Sequence, residues 1–109
     1  MAGQLGHGER VARAEMTIRW SPTAISDLET IRDYIASDNP STARKVANRI
    51  KESVNRLINF PLSGRAGRIP GTRELVIPGT SYIAAYTIQG DEVLIAAVLH
   101  GRQRWPDSF

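Results

Sequence analysis

Cysteine is absent from this chain of 109 residues. Its absence excludes a disulfide scaffold, a cysteine-based zinc site and a thiol nucleophile, and it agrees with a reducing compartment such as a bacterial cytosol. Histidine is nearly absent too: His7 lies in the N-terminal stretch and His100 near the other end, so there is no histidine cluster for a metal. The sequence has no glycine-rich phosphate loop and no nucleophile elbow. We therefore expect no metal, no cofactor and no classical hydrolase chemistry.

Long apolar runs are also missing. The longest, residues 93–99, is far shorter than the ~20 residues that a membrane helix requires. Residues 1–15 contain two glutamates and no apolar stretch, so they do not resemble a secretory signal. We expect a cytoplasmic protein without membrane contact. It should have an N-terminal appendage or leader at 1–15 and a single domain at 16–109, because the length leaves no room for a second domain.

The charges that are present are distributed unevenly. The net charge is +3, with acidic residues dominating positions 27–38 and basic residues dominating positions 44–73. Beyond position 64 every basic residue is an arginine, which suits bidentate contact with carboxylate or phosphate better than lysine does. Two interpretations remain open at this point, a solvated basic face and a surface for an anionic partner.

Two helices are predicted after a first strand at residues 17–20. Ser21 and Pro22 read as an N-cap and a first helical residue, and apolar residues then recur at helical spacing as far as Ile35. Residues 38–40 break this helix and start a second, whose apolar stripe extends to Ile58. Helices joined by so short a turn should pack antiparallel.

Three further strands are predicted at residues 73–77, 82–88 and 92–99, separated by turn signals. They should form an antiparallel meander. The link before them, residues 64–71, is rich in glycine and arginine and is expected to be an exposed loop. This order of elements predicts an α+β fold in which an antiparallel helix hairpin packs on one face of a small, mainly antiparallel sheet.

The residues that could carry chemistry are few. His100 ends the last predicted strand, where an imidazole could exchange a proton with a ribose hydroxyl while nearby arginines stabilise phosphorane charge. The alternative is a histidine that only hydrogen-bonds the backbone at the sheet edge. Tyr82 and Tyr86 share one face of their strand and could stack on a base, although core filling is expected for at least one of them.

Five segments of the chain occur in an order typical of one family. They are WSPTAISDLETIRDYIA, NPSTARKVANRI, FPLSGRAGRIPGTRELVI, YIAAY and VLHGRQRWP. Over residues 17–106 the chain thereby resembles the RelE/ParE superfamily, the bacterial toxins of type II toxin–antitoxin (plasmid stabilisation) modules. The resemblance implies a toxin that inhibits growth and a cognate antitoxin that neutralises it in a hetero-oligomer. It also implies the same fold that the periodicities predict.

The superfamily contains two kinds of toxin, DNA gyrase poisons of the ParE type and ribosome-dependent mRNA endoribonucleases of the RelE type. The nucleases usually carry an arginine after the first tyrosine of the penultimate strand, where this sequence has Ile83 after Tyr82. The resemblance therefore favours a ParE-like toxin that targets DNA gyrase. One alternative is a metal-free mRNA endoribonuclease acting at the ribosome, with His100, Arg73 and Tyr86 as catalytic residues. The other is a degenerate module that only binds an antitoxin.

Binding to the target or to the antitoxin is expected of a basic surface. Its members are Arg65, Arg68, Arg73, Arg102, Arg104 and Tyr82, with His100 at the margin. We expect the arginines to be solvated, so that replacing Arg65, Arg68 and Arg102 by alanine leaves the fold intact. The antitoxin is expected to contribute an acidic segment that is disordered until it wraps this domain.

Overall fold

A computed structural model describes residues 16–109 of the chain. The expected appendage at residues 1–15 lies outside the described residues. The elements in chain order are β1 (Thr17–Trp20), α1 (Pro22–Ala36), α2 (Pro40–Asn55), a 3-10 turn (Arg56–Ile58), β2 (Arg65–Ala66), β3 (Arg73–Val76), β4 (Tyr82–Gln89) and β5 (Glu92–His100). Among these residues no helix is long and apolar enough to cross a membrane.

Both helices begin where the capping signals predict. The Ser21 hydroxyl accepts a hydrogen bond from the Ala24 N–H at 3.0 Å, and Pro22 occupies the first turn of α1. Asn39 caps α2 in the same way, accepting from the Thr42 N–H at 3.1 Å. Each cap satisfies a backbone donor that the first helical turn leaves unpaired. The predicted helix hairpin is confirmed.

The strands form one five-stranded sheet in the order β1-β5-β4-β3-β2. Strands β3, β4 and β5 are the predicted antiparallel meander, and β1 joins it parallel to β5, with Ile18 opposite Val93. The sheet is therefore mixed, and it has one more strand than expected. The link at 64–71 is not the fully exposed loop that we predicted, because β2 pairs with β3 and Ile69 is buried.

The helix hairpin covers one face of the sheet. The core between them is formed by apolar residues of both helices, the 3-10 turn and the strands: Ala24, Ile31, Ile50, Val54, Leu57, Ile77, Ala84, Tyr86, Val93, Ile95 and Val98. We call the opposite face of the sheet the outer face. Because side chains alternate along a strand, Ile83 and Ala85 of β4 lie on the outer face, together with Leu99 and Ala97 opposite them on β5.

A bulge in β5 provides the docking point for α1. Ala85 pairs with Ala97 but Tyr86 pairs with Ile95, so Ala96 is left without a partner on β4. The Ser21 hydroxyl donates to the Ala96 carbonyl at 2.8 Å. Asp27, six residues further along the chain on α1, accepts a hydrogen bond from the Val98 N–H at 2.9 Å. Polar groups of α1 thus satisfy backbone groups around the bulge.

Candidate target-binding surface

Tyr86 is a structural residue at the centre of the molecule. Its side chain is 0% exposed, and its hydroxyl donates to the Pro61 carbonyl at 2.7 Å and accepts from the Gly64 N–H at 2.9 Å. Burial raises the pKa of Tyr86, although the Gly64 hydrogen bond and the Arg73 charge partly oppose the rise. A buried hydroxyl engaged on both sides is not placed to contact RNA. The catalytic role expected for Tyr86 in a nuclease does not fit this position.

Arg73 does not belong to the same surface as Arg65 and Arg68. It lies opposite Tyr86 in the β3–β4 pairing, which places it on the helix side of the sheet. Its guanidinium donates to the Gly64 carbonyl at 2.8 Å and to the Leu62 carbonyl at 3.3 Å. Arg73 therefore holds the link after the 3-10 turn, and the single continuous basic surface that we predicted is divided between two faces.

On the outer face, Arg65 and Arg68 surround a buried carboxylate. Glu74 is only 3% exposed. One carboxylate oxygen, Oε1, accepts from Arg65 Nη2 at 3.1 Å and from Arg65 Nε at 3.4 Å. The other, Oε2, accepts from the Arg68 backbone N–H at 2.8 Å and from Arg68 Nε at 3.2 Å. Burial alone would raise the pKa of Glu74, but these hydrogen bonds and the Arg68 charge outweigh it and lower that pKa.

This pairing corrects our expectation that the arginines are free. Replacing both Arg65 and Arg68 by alanine would leave the Glu74 carboxylate without a cationic partner, with only the backbone N–H of residue 68 as a hydrogen-bond donor. Breaking a buried ion pair by removing one side costs roughly 3–5 kcal/mol. The triple alanine variant that includes Arg102 is therefore not expected to keep the stability of the parent, and it cannot separate folding from function.

Arg68 also connects the link to the C-terminal tail, which we define as residues 101–109. Its guanidinium carbon lies 3.5 Å from the centroid of the Trp105 ring, a cation–π stack. At the start of the tail, Gly101 lies close to Ile83, since a side chain at position 101 would be 3.7 Å from Ile83 Cδ1. Arg102 and Arg104 lie between these two anchors and are exposed. They form no salt bridge with the described residues.

His100 and Tyr82 lie opposite each other at the end of the β4–β5 pairing, and Tyr82 shares the helix side of the sheet with Tyr86. Their rings are 5.5 Å apart in an edge-on arrangement. His100 Nδ1 accepts a hydrogen bond from the Arg102 N–H at 3.0 Å, and the His100 N–H donates to Gln103 Oε1 at 2.8 Å. Burial, together with the neighbouring Tyr34, raises the pKa of Tyr82. His100 thus shapes the turn into the tail by accepting a backbone hydrogen bond.

A separate groove lies on the helix hairpin. Its lining combines apolar and charged side chains: Trp20, Ile25, Leu28, Glu29, Arg32, Lys51 and Asn55. Ile25 is 49% exposed although it belongs to the apolar stripe of α1. The groove therefore offers an apolar floor with a charged rim, the surface that an amphipathic helix fits.

Two residues that contact Arg68, Glu74 and Trp105, were not among the predicted site residues. Glu74 stands directly after Arg73 in a strand-like run, and this adjacency is a usable signal, because neighbouring strand residues point to opposite faces. Glu74 would share its sheet face with the apolar Ile83 and Ala85. A carboxylate buried among apolar side chains is costly unless a cationic side chain pairs with it. The arginines of the 64–71 link were the obvious candidates.

The geometry can now be compared with known proteins. Residues 18–105 match the family described as the ParE toxin of the type II toxin–antitoxin system parDE. The chain belongs to this toxin family. The match covers both helices and all strands apart from Thr17, the first residue of β1, and it ends at Trp105, the residue that stacks on Arg68.

Relatives and solved structures agree with this family. The protein Y4kP of Sinorhizobium fredii is 45% identical over 89 residues, which are 82% of this chain and 92% of that protein. Toxin RelE2 of Caulobacter vibrioides is 31% identical over 81 residues, covering 74% of this chain and 90% of the relative. The second of these relatives carries the RelE name, whereas the matching family model is that of the ParE toxin.

Two solved toxin–antitoxin systems share the fold. A chain of the chromosomal ParDE system from P. aeruginosa superposes with a TM-score of 0.73 at 28% identity, covering 80% of this toxin and 97% of that chain. A chain of the toxin–antitoxin complex RelBE2 from Mycobacterium tuberculosis gives a TM-score of 0.55 at 27% identity, covering 78% of this toxin and 90% of that chain. The predicted class, two helices on one face of a small sheet, is confirmed.

Proposed function

We propose that this toxin inhibits bacterial growth by acting on DNA gyrase, that the exposed arginines of its C-terminal tail contact the target, and that a cognate antitoxin holds it inactive. Membership of the ParE family supports the toxin part of this proposal. The choice of gyrase over ribosome-bound mRNA depends on whether His100, at the end of β5, and its neighbours can carry out the proton transfers of RNA cleavage.

The observation that carries this choice is the hydrogen bond from the Arg102 N–H to His100 Nδ1. A backbone N–H can only donate, so the Nδ1 lone pair is engaged in accepting this hydrogen bond. A ring that accepts at Nδ1 has an N–H at Nε2, which can donate a hydrogen bond but has no lone pair with which to remove a proton from a ribose hydroxyl. Metal-free RNA cleavage needs a base as well as an acid.

The neighbours of His100 do not provide that base. Tyr82 is the aromatic partner of His100, and because burial raises its pKa, the hydroxyl stays protonated at neutral pH. Ile83 occupies the position at which RelE-like nucleases usually carry an arginine, and it is buried close to Gly101. Tyr86 and Arg73 are hydrogen-bonded to the link. The nuclease set of His100, Arg73 and Tyr86 therefore does not assemble around one solvent-facing point.

The exposed arginines of the tail are the favoured contacts with the target. Arg102 and Arg104 are exposed and without ion-pair partners among residues 16–109, so binding an anionic group breaks no internal interaction. Arg65 and Arg68 already share the Glu74 carboxylate as an ion-pair partner. A charge-assisted contact made by a free guanidinium therefore gains more than one made by a paired guanidinium.

The antitoxin is assigned to the other side of the molecule. The hairpin groove beside Ile25 and Lys51 fits an amphipathic segment of acidic character, which would bury the apolar floor and pair with the basic rim. The solved relatives belong to a ParDE system and to a RelBE2 toxin–antitoxin complex, which supports an antitoxin as partner. An antitoxin bound in this groove does not itself cover Arg102 and Arg104, so we expect it to hold the toxin inactive by obstructing the approach of the target rather than by pairing with those arginines.

The test uses two assays with the same purified protein. We expect inhibition of DNA supercoiling by purified gyrase and no cleavage of mRNA on stalled ribosomes. A His100→Gln variant separates the chemistry further, because the glutamine oxygen can still accept from the Arg102 N–H but the side chain cannot donate an acidic proton. We expect this variant to inhibit gyrase like the parent. Ribosomal mRNA cleavage that is lost in His100→Gln, with gyrase unaffected by either protein, would replace the gyrase proposal by the nuclease.

A further inference from the structure

The Glu74 carboxylate loses its hydration on the outer face of the sheet, and this desolvation costs free energy. Its neighbours on that face, among them Ile83, Ala85 and Leu99, are buried and apolar. An apolar side chain of similar volume would pack there without losing hydration, and such replacements of buried ion pairs are often neutral or stabilising. Packing alone therefore does not account for a carboxylate at this position.

The hydrogen bonds of Glu74 fix an orientation. Two of the four reach the Arg65 side chain, and two reach Arg68, one of them through its backbone N–H. The carboxylate thus determines both the path of the link and the direction of the Arg68 side chain. The Arg68 guanidinium in turn lies over the Trp105 ring, with its carbon 3.5 Å from the ring centroid. A continuous series of contacts runs from β3 through the link to the C-terminal tail.

This series decides where the exposed arginines of the tail stand. Arg102 and Arg104 are held on one side by the turn at His100 and on the other by Trp105. Trp105 also donates from Nε1 to the His100 carbonyl, but at 3.4 Å this hydrogen bond is long. If Trp105 leaves Arg68, the tail loses its contact with the Arg68 side chain and is less restrained. Arginine side chains on a less restrained tail must give up more conformational entropy when they bind.

We propose that Glu74 is a positioning residue for target binding, which it serves by orienting Arg68 so that Trp105 holds the tail with Arg102 and Arg104 in place. This inference rests on the proposed role of the tail in the toxin, but it does not require that the target is gyrase. The carboxylate itself contacts no target.

The experiment follows the environment of Trp105 and the toxicity together. The chain has two tryptophans, so fluorotryptophan labelling gives two fluorine NMR signals. Trp20 lies in β1 at the edge of the sheet and serves as the internal reference. A Trp105→Phe sample assigns the two signals. Toxicity is measured as the level of induced protein that halves the growth rate, so the readout does not depend on the identity of the target.

Glu74→Met is the decisive variant, because methionine keeps the volume and the apolar packing while removing the anchor of Arg68. We expect a folded protein in which the Trp105 signal moves to its solvent-exposed position, the Trp20 signal stays, and toxicity falls roughly tenfold or more, the effect of losing one charge-assisted contact. Arg68→Ala should move the Trp105 signal in the same way. Arg65→Ala is the matched control: it removes the other partner of Glu74, and the Trp105 signal should remain where it is in the parent.

Two results overturn the proposal. An unmoved Trp105 signal in Glu74→Met shows that the carboxylate does not orient the tail. A moved signal with unchanged toxicity shows that the orientation of the tail has no bearing on target binding. The outcome of the gyrase assay is independent of the Glu74 test. A parent protein that is toxic but does not inhibit gyrase refutes the proposed target, and the test of Glu74 remains valid.

Discussion

Replacing Tyr86 by phenylalanine removes one oxygen atom from the centre of the molecule, and its consequences can be worked out from the structure. The lost hydroxyl accepts from the Gly64 N–H at 2.9 Å and donates to the Pro61 carbonyl at 2.7 Å. Both groups lie between the 3-10 turn and β2, Pro61 just before the link and Gly64 at its first position. Since Tyr86 is fully buried, water cannot take the place of the hydroxyl without entering the core.

Two buried polar groups lose their partner at a cost of about 1–3 kcal/mol each, so we expect Tyr86→Phe to lower the free energy of unfolding by at least about 2 kcal/mol. For a domain of this size the melting temperature falls by about 4–8 °C for each kcal/mol. Urea unfolding followed by circular dichroism measures the loss. Tyr34→Phe removes the same atom from a side chain that is 76% exposed, and it should change the stability by less than about 0.5 kcal/mol.

The same pair of variants distinguishes a structural tyrosine from a catalytic one. A Tyr86→Phe protein with the stability of the parent but without toxicity would refute our reasoning, because it would show that the hydroxyl serves the target and not the link. A change below about 0.5 kcal/mol in both variants would show that the two hydrogen bonds contribute nothing net.

Further predictions concern the close packing of glycines, the β5 bulge and the dependence of stability on pH. Gly64→Ala places a Cβ 2.5 Å from the Tyr86 hydroxyl and should lower the free energy of unfolding in urea by about 1–3 kcal/mol. Gly101→Ala is the control, because its nearest contact is at 3.5 Å, and it should lower the stability much less. Equal losses in the two variants would contradict the packing argument. Asp27→Ala leaves the Val98 N–H without its acceptor and should lower stability by about 1–3 kcal/mol, while Asp33→Ala on the exposed side of α1 serves as the control and should have little effect. Because the pKa of Glu74 is lowered in the fold, its contribution to stability is present above the ordinary glutamate value of about 4.3 and is lost as the pH falls below that value through the native one. Unfolding free energies measured from pH 7 down to pH 3 should therefore fall more steeply for the parent than for Glu74→Met, and parallel curves would show that Glu74 is not responsible.

Local signals in the sequence predicted most of the fold. The caps at Ser21 and Asn39 act within one helical turn, so the helix starts could be placed from the sequence alone. The parallel pairing of β1 with β5 could not, because Ile18 and Val93 are 75 positions apart and nothing in either strand specifies its partner. The two-residue strand β2 is too short to give a periodic signal.

The site was predicted less well, and the reason is physical. Arginine content identified the link and the tail, but composition does not show which guanidinium is already paired. Arg65 and Arg68 share the Glu74 carboxylate, and Arg73 points to the helix side. Arg102 and Arg104 are exposed. The orientation of adjacent strand residues would have separated Arg73 from Glu74, whereas the stack of Arg68 on Trp105 joins two loops and leaves no mark in the sequence.

The most direct test of the proposed mechanism is the inhibition of purified gyrase by a tail variant and by a matched control. Arg102→Ala combined with Arg104→Ala removes two charges from the tail, and Arg44→Ala combined with Lys45→Ala removes two charges from exposed positions on α2. Losing charge-assisted contacts should raise the concentration of the tail variant needed to inhibit supercoiling by about ten- to a hundredfold, while the α2 variant inhibits like the parent. A tail variant as potent as the parent, or an equal loss in both variants, would contradict the assignment of target binding to the tail.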